Sequence, residues 1–143
     1  MRFIAAVKDG AVKGFKTGGM LLKIMLPIYV VVILLKYSPI MPFLERVAAP
    51  AMKLFNMPPD AVVPVITGLF TDEYAVVAAM GGFNFNTATI TTISMIVLCC
   101  HSIPVETAVS QKIGFPAWRI TLFRFVLAIL VGLLTALLGG IFL

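Results

Sequence analysis

The sequence predicts an all-α integral membrane protein: an amphipathic N-terminal helix, three transmembrane helices and a broken re-entrant helical hairpin. Four transmembrane helices are the alternative. Three observations carry this. The chain of 143 residues is 61% hydrophobic and 12% charged, with a mean hydropathy of +1.09; that charged share is about half the soluble norm. Its Lys and Arg residues stand at the ends of apolar runs, where membrane proteins use them to set topology. One apolar run, 61–83, carries two adjacent acids, Asp72 and Glu73, in its middle.

Residues 2–16 have helical amphipathicity. At 100° per residue, Phe3, Ile4, Val7, Ala11 and Phe15 share one face, and Arg2, Asp9, Lys13 and Lys16 the other. That pattern suits a helix lying on a lipid surface. It is not a secretory signal, because only residues 3–7 separate Arg2 from Lys8 and a signal core needs about 7–15 apolar residues. The first span is expected over 19–37. Its apolar core, 24–35, reaches only about 18 Å, so Lys23 and Lys36 are expected to snorkel to the interfaces. Ser38, Pro39 and Pro42 end it. Residues 43–55 are too short and too charged to cross and read as an interfacial helix bent at Pro50.

The run 61–83 could cross once, or form two half-length arms of about 15 Å joined at 67–71. Both routes leave the acids at mid-depth, at a cost of about 3 kcal/mol each on insertion scales. Acids persist there when they face a cavity, a partner or a solute. Thr67-Gly68 is expected to break the helix, glycine by its backbone freedom and threonine by bonding a freed backbone group. Asp72 is also a candidate helix N-cap. A broken helix with acids beside it is a local design for solute binding in transporters.

Asn84 and Asn86 mark a turn, and a span over 87–102 follows, closed by Pro104. Thr87, Thr91, Ser94 and His101 share one of its faces, a stripe suited either to a solute path or to packing. Residues 105–117 read as a polar connection. The last span is expected over 118–143, with Arg124 marking an interface. Ala128, Gly132, Ala136 and Gly140 recur every four residues and let another helix approach closely.

Other chemistries are poorly supplied. The net charge of +5 is scattered, so no nucleic-acid surface is expected. Cys99, Cys100 and His101 point apart on a helix and no second cluster completes a metal shell. No nucleophile elbow, phosphate loop or zincin motif is present, so neither an enzyme nor a cofactor is expected.

The order of parts resembles the nucleoside-recognition, or gate, domain family, which includes the gate regions of concentrative nucleoside transporters, ferrous-iron permeases and spore maturation membrane proteins. The resemblance covers roughly residues 20–143 and rests on Thr67-Gly68-Leu69-Phe70-Thr71-Asp72-Glu73-Tyr74-Ala75, which looks like the hairpin tip of the nucleoside transporters. It implies solute contacts from Gly68, Thr71 and Glu73; Asp72 stands where those transporters have Gln. Together with the residues beside the tip and along the hydroxyl stripe, the candidate solute-binding set is Glu73, Thr71, Gly68, Asp72, Thr67, Asn86, Thr87 and Thr91. The resemblance also implies a single gate-type membrane domain over 1–143, with an amphipathic 1–18 and a membrane core of 19–143. It further implies a prokaryotic inner-membrane location and a small polar solute lying between two units of opposite orientation. The second unit would be another copy or a related gate subunit. The alternative reading is a non-transporting subunit of a membrane hetero-complex, and a metal-permease fragment comes third. With a re-entrant hairpin, the Lys and Arg count is eight inside to three outside, a single orientation. A full crossing gives five to six, which permits dual topology.

Overall fold

A computed structural model describes the backbone of residues 2–142, and their side chains except those of 2–5, 21, 24 and 140–142. The protein is all-helical. Helix α1 covers Arg2–Lys36, α2 Met41–Leu54, α3 Val62–Phe70, α4 Glu73–Met80, α5 Thr87–Cys100, α6 Ile103–Lys112 and α7 Ala117–Phe142. Among the described residues, three stretches are long and apolar enough to cross a membrane: Ala6–Lys36, Thr87–Lys112 and Ala117–Gly139. This is an all-α membrane protein whose helices contact lipid.

The amphipathic segment and the first span form one unbroken helix of 35 residues, about 52 Å long. Gly18 and Gly19 do not interrupt it, since no neighbouring element meets the helix there to bend it. Its polar face carries an Asp9–Lys13 pair at 2.8 Å, and Val7, Val12 and Phe15 are exposed on it. The predicted contributions of Arg2, Phe3 and Ile4 to those faces lie outside the described residues. Pro27 and Pro50 both sit inside helices, each removing one backbone hydrogen bond.

The run 61–83 turns back on itself. Val62–Phe70 runs out to the tip and Glu73–Met80 returns beside it, packed against α1. A Cβ placed on Gly68 would lie 2.9 Å from Val76 of the returning arm, and one on Gly82 would lie 3.1 Å from Val32 of α1. Lys36, at the end of α1, gathers both ends of the hairpin. Its Nζ donates to the Gly82 carbonyl at 2.7 Å and lies 5.0 Å from the Phe83 ring centre. Its charge also partly opposes the upward push that burial gives the carboxyl of Asp60, in the turn before α3.

The break falls four residues later than Thr67-Gly68. Thr67 and Gly68 are helical, and the chain leaves helical geometry at Thr71 and Asp72. Gly68 is there for proximity: its missing Cβ admits Val97 of α5 as well as Val76, at contacts of 2.8 and 2.9 Å.

Helix α7 runs antiparallel to α5. Gly132 packs on Ile96 and Phe55, and Gly139 on Ala88, while Ala128 is buried. The small-residue ridge therefore serves packing within the chain; the packing of its last member, Gly140, lies outside what is described. The stretch predicted as a polar connection is mostly α6. It continues along α7, where Thr107 and Thr121 share a 3.1 Å hydrogen bond. The second candidate span is thus an interrupted helix, α5 then α6, broken at His101-Ser102.

Candidate functional site where two helix breaks meet

Both interruptions have local causes. At the hairpin tip, Asp72 adopts extended geometry and its Oδ1 accepts from the Ala75 N–H at 2.9 Å, capping α4. At the second break His101 is extended and Ser102 is left-handed, with φ of 48°. Such a conformation costs a non-glycine residue about 1–2 kcal/mol. Pro104 then sits in the first turn of α6, where its missing N–H is harmless.

Ser102 offsets its strain by tying the two breaks together. Its N–H donates to the Gly68 carbonyl at 3.0 Å, and its hydroxyl to the Thr71 carbonyl at 2.5 Å. These are carbonyls at the C-terminal end of α3 that an ending helix leaves without partners. Arg124 does the same for α5, donating to the Cys99 carbonyl at 2.9 Å and the His101 carbonyl at 3.0 Å. A guanidinium at a helix C-terminus also meets the negative end of the helix dipole. Arg124 stands two turns inside α7 with its side chain 15% exposed.

Four ionisable side chains from different elements converge at the junction. His101 Nε2 lies 3.1 Å from Glu73 Oε1 and 3.6 Å from Glu106 Oε1. Glu106 also accepts a hydrogen bond from Arg124. The His101 Nδ1 is buried and has no partner among the described residues. Glu73 remains 43% exposed, and it opens onto a cavity of about 130 Å³ shared with Ser94, Val97 and Leu98.

Of the predicted set, Thr67, Gly68, Thr71, Asp72 and Glu73 lie together at the tip. Thr67 and Thr71 hydroxyls are bonded to backbone carbonyls of their own helix, Val63 and Thr67 respectively. Asn86, Thr87 and Thr91 are elsewhere. Asn86 caps α5 through Thr89, and Thr91 bonds back to the Thr87 carbonyl. Thr91 stands ten residues from His101, about 15 Å along the helix. All three are exposed, whereas Thr89 and Thr92 are the buried hydroxyls of α5. Sequence reasoning missed Ser102, Glu106 and Arg124 as site residues and weighed His101 only as a stripe member and a metal ligand. The available signals were a Ser-x-Pro interrupting an apolar run and an arginine well inside another.

A larger apolar groove of about 460 Å³ lies between α1 and α3. Its only polar lining is Thr67 and Thr71, whose hydroxyls are committed, so it offers nothing to orient a polar solute. No group of His, Cys, Asp and Glu suited to a metal ion occurs among the described residues.

A family model described as Gate, nucleoside recognition, matches residues 19–116, which include both breaks but stop before Arg124. The uncharacterized membrane protein YvoD of Bacillus subtilis (strain 168) is 29% identical over 105 residues, covering 73% of this chain and 34% of the relative. The chain thus spans about a third of that relative's length. No solved structure matches.

Proposed function

The chain belongs to the Gate family of nucleoside-recognition domains, and from that premise we propose that it is one gate unit of a membrane transporter for a small polar, nucleoside-like solute. Residues 1–143 act as a single unit in the cell membrane, which we take to be a prokaryotic inner membrane. The carrying observation is the meeting of two helix breaks around a half-exposed carboxylate, Glu73. Interrupted helices supply solute sites in transporters because irregular backbone at that depth is tolerated only beside a cavity or inside protein. Glu73 accepts hydrogen bonds from solute hydroxyls. Gly68 keeps the tip close to α5.

The site is half a site. Its own cavity of about 130 Å³ falls below the roughly 300 Å³ at which pockets for drug-sized ligands begin. Phe70, Thr71 and Tyr74 are exposed around the tip. A second gate unit, another copy or a related subunit, closes over this surface. Eight basic residues on the inner side against three outside favour one orientation for this unit. An inverted related subunit then fits better than an identical copy.

The test is uptake of radiolabelled uridine and adenosine by vesicles made from the source cell's own membranes, which hold the protein together with its partner subunit. Uptake should exceed that of vesicles lacking this chain, and Glu73→Gln should abolish it while insertion and melting temperature are kept. Normal uptake with Glu73→Gln would sink the assignment of Glu73. A stable hetero-complex with no flux of either nucleoside would favour the assembly-subunit alternative.

A further inference from the structure

We propose that His101 is a proton-binding site that latches the hairpin tip onto the α5–α6 break. The inference rests on reading that tip as the moving part of a gate.

Charge balance at the junction supports it. Arg124 from α7 supplies one fixed positive charge; Glu73 from α4 and Glu106 from α6 supply two negative ones. Of the other groups facing His101, Asp72 is committed to capping α4, and Cys99 and Cys100 are free thiols on α5. Helix α3 has no titratable side chain, and Lys23 of α1 makes no ion pair with the cluster among the described residues. With a neutral imidazole, the Glu73, Glu106 and Arg124 set is left with one unbalanced negative charge at the junction. One added proton balances it.

Geometry says where the proton goes and what it does. Nε2 faces carboxylates on two elements, so it carries a hydrogen in both charge states and donates to Glu73. The proton that charges the ring enters at Nδ1, the position left without a partner. No bond other than this N–H is formed. The resulting imidazolium lies between Glu73 of the hairpin and Glu106 of the break. It turns a hydrogen bond in which only the carboxylate is charged into an ion pair in which both partners are. Loss of the proton restores the excess negative charge and loosens the tip. Glu73, released from His101, is then free to accept from a solute.

Histidine is suited to this switch because its charge changes near physiological pH. His101 is the only histidine in the chain, so it can be observed singly. The experiment uses the full chain in lipid nanodiscs, with Cys99→Ala and Cys100→Ala and a reporter Ala75→Cys, at a position fully buried in the first turn of α4. Labelling by a polar maleimide is measured from roughly pH 5.5 to 8.5 and divided by the rate at a Phe115→Cys reporter in the exposed α6–α7 turn. The normalised tip rate should rise about tenfold toward high pH, and His101→Gln should remove that dependence. In parallel, ¹⁵N-histidine spectra of the unmodified protein should show the imidazole changing charge state over the same range. An imidazole that does not change, or a pH dependence that survives His101→Gln, overturns the proposal. If the variant does not fold, the spectra of the unmodified protein still decide. Neither readout needs transport. A working latch without nucleoside uptake would overturn only the transport reading, and uptake without a latch only this one.

Discussion

Gly68→Ala tests whether the tip is held by close approach of three helices. The added Cβ would lie 2.8 Å from both methyl carbons of Val97 and 2.9 Å from a methyl of Val76. Both valines are 2% exposed, and a β-branched side chain on a helix has one strongly preferred rotamer. Neither can step aside cheaply. Overpacking of this kind costs about 1–3 kcal/mol, and the gain in helix propensity from Gly to Ala returns up to about 1 kcal/mol. The expected net loss is on the order of 1–2 kcal/mol. Val97→Ala alone should cost about 2 kcal/mol through its cavity. The double variant should lose about 1 kcal/mol less than the sum, because the new methyl then occupies space that Val97 vacates. Unfolding is followed by helical circular dichroism against SDS mole fraction in mixed micelles. A Gly68→Ala protein as stable as the parent would refute the reasoning, and so would strict additivity in the double variant. Because the Gly68 carbonyl also accepts the Ser102 N–H, the same substitution should raise the labelling of an Ala75→Cys reporter.

Two further perturbations address the other fastenings. Arg124→Gln strips the guanidinium from the Cys99 and His101 carbonyls and from Glu106. It should cost roughly 2–3 kcal/mol, the range for losing hydrogen bonds to a charged group when one partner stays partly solvated. Arg124→Lys should recover little, since one ammonium cannot serve three acceptors with a fork's geometry; full stability in either variant, read by the same SDS titration, would deny Arg124 its capping role. Lys36→Met removes the donor to Gly82 and the charge near Asp60, and should cost about 1 kcal/mol and speed proteolysis between residues 81 and 86. Unchanged cleavage would mean that Lys36 does not fasten the hairpin's ends.

The parts of this fold that were legible in the sequence are those set by composition and short-range chemistry. Hydropathy found the spanning stretches, and the acids in 61–83 located the tip within a few residues. Asp72 was readable as an N-cap because its preference for extended backbone before a helix is local. The break itself was misplaced onto Gly68 because a glycine in a helix has two physical uses, freedom and proximity. Only the positions of Val76 and Val97 decide between them. The α5–α6 break was hidden for the opposite reason. Ser102 is an unremarkable residue whose left-handed conformation is stabilised by hydrogen bonds to residues 31 and 34 positions earlier. No window along the chain contains that information. The separation of Asn86, Thr87 and Thr91 from Glu73 was likewise invisible to a helical wheel, which reports direction around an axis and not distance along it.

Helix ends explain why these particular side chains meet. Where α3 and α5 stop and α4 and α6 start, the freed carbonyls and N–H groups must all be bonded, because nothing in a bilayer interior will do it. Asp72 serves the start of α4, Ser102 the end of α3, and Arg124 the end of α5. Each of these residues is consumed by backbone. What remains uncommitted is Glu73, half exposed, and His101, with one nitrogen unpartnered. A purely structural junction would have no use for a carboxylate and an imidazole that cap nothing. If the pair merely packed the two breaks together, replacing both by a neutral pair, Glu73→Gln with His101→Asn, should leave the protein as stable and its tip as closed at every pH. The charge argument requires instead that the parent's tip loosen as pH rises, and that the neutral pair's tip be looser than the parent's at low pH and unchanging with pH, while the backbone caps keep the fold.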